Sequence, residues 1–139
     1  MLKELGKEIH KNAVEHGWWD SPRTFGDIIA LCHSELSEAL EEHRQSRPAI
    51  YYNCIQNPAL IEPCTFDDDE MDCCPLAKVR DGVCEYRDQK PEGVAIELAD
   101  CIIRILDYCE YAGIDIEKAI SLKHEYNKTR PYRHGGKII

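Results

Sequence analysis

Hydrophobic side chains recur at helical spacing in four stretches of this chain. In the first stretch, Leu2, Leu5, Ile9 and Ala13 fall near one face of a helix. The same periodicity predicts four helices, over 2 to about 16, 24 to about 45, 91 to about 112 and 115 to about 129. We therefore expect an all-α fold of four helices within a single domain, residues 1–139.

The ends of the last two helices carry recognisable signals. Pro91 is favoured in a first helical turn, and Gly113 is a typical residue after a helix end. Asp115 is a plausible N-cap for the fourth helix. These residues fix the expected bounds of both helices.

Helical periodicity disappears between the second and third helices, over residues 49–90. Pro, Asn, Asp and Cys are frequent there, and residues 67–70 form an acidic run. About forty residues without a sustained period are unusual inside a compact domain. We expect a long irregular insertion rather than a second domain.

One carboxylate interrupts an apolar helix face. Glu35 points into the middle of a face on the second helix, where no Lys or Arg occupies the positions four residues away. That face consists of Ile28, Leu31, Cys32, Leu36 and Ala39. Glu38 lies along its edge. A carboxylate buried in this way requires compensation of its charge, which a divalent cation would supply.

A second acidic pair, Glu97 and Asp100, repeats the spacing of Glu35 and Glu38 on the third helix. There the two acids share a narrow polar stripe beside a broad apolar arc, which comprises Val94, Leu98, Cys101, Ile102, Ile105 and Leu106. Two such helices packed together would gather four carboxylates. Oxygen ligands of this kind select Mg²⁺, with Mn²⁺ as the alternative. Acids on solvated helix faces, paired within the helix, are the simpler alternative.

Composition excludes several classes of function. Among 139 residues, 17 are Lys or Arg and 26 are Asp or Glu, so the formal charge of -9 argues against binding a nucleic acid polymer or an anionic membrane. No apolar run approaches the ~18 residues that span a bilayer. No Glu-x-x-His motif of a di-iron bundle occurs. We expect a soluble, cytoplasmic protein.

Eight cysteines divide into two groups. Cys32, Cys101 and Cys109 lie in helical segments and are expected to be small core residues. The other five lie in the insertion, at Cys54, Cys64, Cys73, Cys74 and Cys84. Their spacing lacks Cys-x-x-Cys, the strong signature of a zinc site. A structural Zn²⁺, a loosely packed reduced loop and a lid over the site all remain open.

The two acidic motifs resemble those of the MazG-like, all-α nucleoside triphosphate pyrophosphohydrolases. Their signature is Glu-x-x-Glu, a variable loop and Glu-x-x-Asp, followed by an Asn/Lys/Arg cluster. Here the cluster comprises Asn127, Lys128 and Arg130. The resemblance covers residues 1 to about 48 and about 90 to 137, and the separation of the motifs is longer than in compact members of the family.

The resemblance implies a fold and a reaction. A MazG-like four-helix bundle, completed by oligomerisation to a dimer or tetramer, would hydrolyse a (d)NTP to (d)NMP and pyrophosphate and serve nucleotide-pool house-cleaning. Glu35, Glu38, Glu97 and Asp100 would be both metal ligands and catalytic residues, and one of them or a neighbour would deprotonate the water. Asn127, Lys128 and Arg130 would bind phosphates.

The sequence supports two further interpretations. Trp18 could stack on a nucleobase, although a tryptophan at a helix end also commonly covers a core. The chain as a whole could instead be a non-catalytic helical interaction or regulatory module with a metal-binding cysteine loop. These interpretations differ most sharply at Glu35, which only the enzyme requires as a ligand.

Overall fold

Four helices dominate the described part of the chain. The computed structural model describes residues 1–54, 64–65, 79–80, 83–84 and 87–132, with side chains placed for 1–53 and 90–132. The helices are α1 (Leu2–Glu15), α2 (Phe25–Arg44), α3 (Val94–Tyr111) and α4 (Ile116–Lys128). The predicted mostly helical fold is confirmed, and none of these helices is long and apolar enough to cross a membrane.

The insertion contains β-strands, so the prediction that it is irregular was wrong. The strands are β1 (Tyr51–Cys54), β2 (Cys64–Thr65), β3 (Val79–Arg80), β4 (Val83–Cys84) and β5 (Arg87–Glu92). They form a three-stranded antiparallel sheet in the order β2-β1-β5 and a separate β3-β4 pair. Short strands that pair across a long stretch leave no local period by which to recognise them.

Pro91 lies in β5, and not in the first turn of α3 as predicted. It is the partner of Tyr52, and Glu92 is the partner of Tyr51. β5 is at the edge of the sheet β2-β1-β5, the position at which a proline is tolerated in a strand. The third helix therefore begins three residues later, at Val94.

The chain divides into two compact units, Met1–Ile28 with Ile103–Ile139, and Ile29–Ile102. In the first unit, α1 contacts α4. Asp115 caps α4 as predicted, because its Oδ1 accepts a hydrogen bond from the backbone N–H of Lys118 at 2.9 Å. The assignment of residues 1–139 to a single domain stays a prediction.

The start of α2 carries a reciprocal cap that the sequence reading missed. Thr24 Oγ1 accepts from the backbone N–H of Asp27 at 3.2 Å, and Asp27 Oδ2 accepts from the backbone N–H of Thr24 at 2.8 Å. This is the capping-box arrangement with aspartate at the third helical position. Two hydrogen bonds lower the pKa of Asp27. The bond from the Thr24 backbone N–H has the larger effect, and the bond from the Thr24 hydroxyl adds to it.

The second unit contains the β2-β1-β5 sheet, much of α2 and the first half of α3. Tyr51 is 2% exposed and its hydroxyl receives a hydrogen bond from Arg47 Nη1 at 2.6 Å. The two helical cysteines of this unit, Cys32 and Cys101, are buried, as is Cys109 in the first unit. The prediction that these three cysteines are core residues is confirmed.

Candidate metal centre

Two carboxylates are buried in the second unit. Glu35 on α2 and Glu97 on α3 are each 6% exposed, as little as the apolar core residues around them. On α2, Glu35 shares a buried stripe with Cys32 and Ala39, which are each 6% exposed as well. The prediction that Glu35 interrupts a buried apolar face is confirmed for Ile28, Cys32 and Ala39, whereas Leu36 of the predicted face is 46% exposed.

The buried face of α3 differs from the predicted one. Glu97 and Cys101, one helical turn apart, point inward, whereas Leu98 and Ile102 of the expected apolar arc are 43% and 54% exposed. Glu97 of the polar stripe and Cys101 of the apolar arc therefore both contribute to the interior of this unit. Glu97 is consequently as anomalous a carboxylate as Glu35.

Three carboxylates from the two helices converge. Each of Glu35, Glu97 and Asp100 offers a carboxylate oxygen, and these oxygens all lie within 4.8 Å of one another. Opposite ligands in an octahedral Mg²⁺ site with bonds of about 2.1 Å are about 4.2 Å apart. The oxygen donor set suits a hard divalent cation, whose binding would draw together oxygens that lie within 4.8 Å of one another, and these three residues are the ones that would hold it.

The charges around Glu97 also favour the binding of a cation. Burial raises its pKa above the usual value, and the negative charges of Glu38, Asp100 and Glu35 raise it further. The attraction of Lys90 acts in the opposite sense. Like charges held this close disfavour ionisation unless a cation offsets them. The cluster is thus arranged so that cation binding would be favourable.

Glu38 belongs to the surroundings of the cluster rather than to the group of three. Its side chain is exposed, and its Oε1 accepts a hydrogen bond from Ser34 Oγ at 3.1 Å. Its charge still acts on Glu97 more strongly than that of Asp100 or Glu35. The direct role of Glu38 as a metal ligand stays a prediction.

Glu42, one turn beyond Glu38 on α2, is held by a different partner. Its Oε1 is 3.1 Å from Arg47 Nη1, and the same nitrogen donates to the Tyr51 hydroxyl. Among the described residues, Glu42 Oε2 is buried without a hydrogen-bond partner. Glu42 is therefore engaged in an ion pair with Arg47.

Lys90 and Glu92 lie beside the cluster, and the sequence reading missed both. Lys90 Nζ is 2.9 Å from Glu92 Oε1. The bond to Glu92 raises the pKa of Lys90, and the charges of Glu92, Glu97 and Asp100 add to this effect. No sequence signal marks these residues, because their approach depends on the long-range pairing of β5 with β1.

The predicted phosphate-binding residues belong to the first unit. Asn127 and Lys128 end α4, and Arg130 follows it. Lys128 pairs with Glu125 at 2.5 Å on an exposed surface. Nothing among the described residues of the first unit identifies an anion site at these positions, so their role in substrate binding stays a prediction.

Trp18 is 43% exposed, and two arginines lie against its ring. The guanidinium carbons of Arg23 and Arg104 are 5.0 and 5.1 Å from the ring centroid. Cation–π contacts of this kind hold the indole in place. Base stacking by Trp18 stays a prediction.

Trp19, in contrast, is packed within the first unit. Its ring stacks on Tyr111 with centroids 4.0 Å apart, and its Nε1 donates to Asp107 Oδ1 at 3.0 Å. His10 Nδ1 lies 2.6 Å from the same Asp107 oxygen. This polar and aromatic cluster ties α1 to the end of α3 and has a structural role.

The side chains of all five cysteines in the insertion lie outside the described part of the chain. Cys73 and Cys74 lie outside the described residues, and the side chains of Cys54, Cys64 and Cys84 do too. The interpretations of the insertion as a zinc site, a reduced loop or a lid therefore stay predictions.

A scan against protein-family models, a search of curated proteins and a search of solved structures each returned no match to this chain.

Proposed function

We propose that the chain is a Mg²⁺-dependent nucleoside triphosphate pyrophosphohydrolase that converts a (d)NTP to the (d)NMP and pyrophosphate. The observation that carries this proposal is the convergence of Glu35, Glu97 and Asp100 within 4.8 Å, with two of the three carboxylates buried. Burial of like charges is costly in a protein interior unless a cation is bound. The MazG-like motif pattern supports the choice of reaction.

Each carboxylate has a distinct part in the proposed reaction. Glu35, Glu97 and Asp100 would hold Mg²⁺, which when bound would neutralise phosphate charge and orient a water. Glu38 accepts the proton of that water, because it is exposed and its charge lies close to Glu97. The water oxygen bonds to the α-phosphorus, the bond from that phosphorus to the bridging oxygen breaks, and pyrophosphate leaves.

The proposed enzyme is a homo-oligomer, a dimer or a tetramer. Within the second unit, four large apolar side chains of α2 and α3 are between 43% and 54% exposed: Leu36, Leu40, Leu98 and Ile102. Large apolar side chains left exposed at a spacing of four residues along a helix commonly mark a protein interface. A second copy of the chain supplies a matching apolar surface, as in symmetric dimers.

Pyrophosphate release tests the proposed activity. The purified protein is incubated with Mg²⁺ and a panel of canonical and modified (d)NTPs. We expect Glu38→Ala and Asp100→Ala to lower kcat by about a hundredfold or more, a loss of roughly 3 kcal/mol of transition-state stabilisation. Both variants should retain the helical circular dichroism spectrum and cooperative melting of the wild type.

Glu15→Ala is the matched control, because Glu15 is an exposed helical glutamate with a lysine partner, Lys11. It should leave turnover unchanged. A wild-type protein that releases no pyrophosphate from any nucleotide, and whose melting temperature does not respond to Mg²⁺, would favour the non-catalytic interaction module instead. Unfolding of the Asp100→Ala variant would show that this carboxylate is structural.

A further inference from the structure

Lys90 stands at the junction between the sheet and the helix that carries Glu97. β5 is paired with β1 up to Glu92, and only Gly93 separates β5 from α3. The carbonyl of Gly93 accepts hydrogen bonds from the backbone N–H of Ile96 at 2.9 Å and of Glu97 at 3.1 Å. The strand end and the first turn of α3 are therefore joined by direct backbone contacts.

The ammonium of Lys90 is within electrostatic reach of the metal centre. Its hydrogen bond to Glu92 anchors it at 2.9 Å, while its charge interacts with Glu97 and with Asp100. The side chain is 68% exposed, whereas that of Glu92 is 20% exposed. A lysine at such a position can move its head group without leaving water.

A polyphosphate substrate requires more positive charge than one divalent ion supplies. A triphosphate carries about four negative charges, and three ionised carboxylates already outweigh the double positive charge of Mg²⁺. Among the side chains described in the second unit, Lys and Arg occur at Arg44, Arg47 and Lys90. Arg47 is engaged by Glu42 and Tyr51, and Arg44 is nine residues, or about 13 Å of helix, beyond Glu35.

We propose that Lys90 is a substrate-binding residue of this site, whose ammonium donates to a non-bridging oxygen of a polyphosphate chain once the carboxylates hold a metal ion. This inference rests on the proposed function. In the absence of metal, the acidic cluster and Glu92 attract the ammonium. A bound cation weakens that attraction, and an anionic substrate then offers Lys90 a better partner.

The test uses Mn²⁺ and inorganic tripolyphosphate as probes. Mn²⁺ affinity is measured by electron paramagnetic resonance, and tripolyphosphate binding to the Mn²⁺-loaded protein by calorimetry. We expect Lys90→Gln to weaken tripolyphosphate binding about tenfold to a hundredfold, the effect of one charge-assisted hydrogen bond. Mn²⁺ affinity should stay within about threefold of wild type or increase, because a cation has been removed from beside the site.

Two further variants test whether the effect depends on the charge and the position of the lysine. Lys90→Arg retains the charge and should bind tripolyphosphate more tightly than Lys90→Gln does. Lys11→Gln removes another exposed lysine that has a glutamate partner, and it should bind like the wild type. In the nucleotide assay, Lys90→Gln should raise KM more than it lowers kcat.

The outcomes separate this inference from the proposed function. If the wild type binds Mn²⁺ and hydrolyses nucleotides while Lys90→Gln binds tripolyphosphate as tightly as the wild type does, the role of Lys90 is overturned and the enzyme stands. If Lys90→Gln loses Mn²⁺ and tripolyphosphate together, Lys90 has a structural role and the inference fails. A wild type that binds no Mn²⁺ overturns both.

Discussion

The carboxylates of the candidate centre differ in how readily their burial can be predicted from the sequence. Glu35 was predicted as buried because apolar residues surround it on its own helix. Glu97 was assigned to a polar stripe, yet it is equally buried. A helical wheel places residues on faces but does not say which face turns inward when both are partly apolar. The burial of Glu97 became apparent only from tertiary structure.

Glu97→Gln should stabilise the metal-free protein by on the order of 1 kcal/mol at neutral pH, because it removes one of several clustered negative charges. The same variant should lose the increase in melting temperature that Mg²⁺ gives the wild type. Thermal melts with and without Mg²⁺ measure both effects. Glu110→Gln, a half-buried glutamate later on α3, is the control and should retain the Mg²⁺ response.

The difference in stability between Glu97→Gln and the wild type should change with pH in a defined direction. The pKa of Glu97 is raised in the folded protein, so the folded state binds this proton more tightly than the unfolded chain does. Its contribution to stability is fully present below the ordinary pKa of glutamate and is lost as pH rises through the raised pKa. The stability advantage of Glu97→Gln should therefore grow as pH rises through that window. An advantage that shrinks instead would contradict this assignment.

At the scale of elements, Gly93 governs the connection between β5 and α3. Its φ is +112°, and a Cβ there would lie 2.6 Å from the carbonyl oxygen of Ala49 and 2.7 Å from that of Pro48. Both contacts involve backbone, which cannot move aside cheaply. A side chain at this position would therefore disturb the junction that bears Lys90 and Glu97.

Gly93→Ala should lower the free energy of unfolding by about 2–4 kcal/mol, through backbone strain together with the steric overlap. Gly113→Ala is the control, because Gly113 has φ +66° but open space around its Cβ position. It should cost about 1 kcal/mol, the strain alone. Urea denaturation measures both values, and equal losses would show that the contacts with Ala49 and Pro48 are unimportant.

The helices could be predicted from sequence and the strands could not. Periodicity located all four helices to within about three residues, and Asp115 marked the start of α4. β5 has the sequence Arg-Asp-Gln-Lys-Pro-Glu, whose residues have little intrinsic strand preference. Its pairing with Tyr51 and Tyr52 is a tertiary interaction across the insertion. Lys90, which this pairing positions, was missed for the same reason.

At the scale of the whole molecule, the exposed apolar residues of α2 and α3 predict self-association. Ile102→Lys should shift the protein toward the monomer, because a charge at a buried interface carries a large desolvation cost. Sedimentation equilibrium measures the change. Ile50→Lys is the control, since Ile50 is 41% exposed but lies outside both helices. A wild type that is monomeric at micromolar concentration would contradict the proposed oligomer.

Because β1 pairs with β5, residues that are far apart along the chain lie close together in space. Cys54 and Arg87 are Cα partners, so the intervening residues begin and end at neighbouring points. Doubling the length of a loop with fixed ends costs only about 0.6 kcal/mol. The stretch between the two acidic motifs could therefore lengthen or shorten over evolution while Glu35 and Glu97 keep their separation. A sequence pattern designed to find such centres should allow a widely variable gap between its two halves.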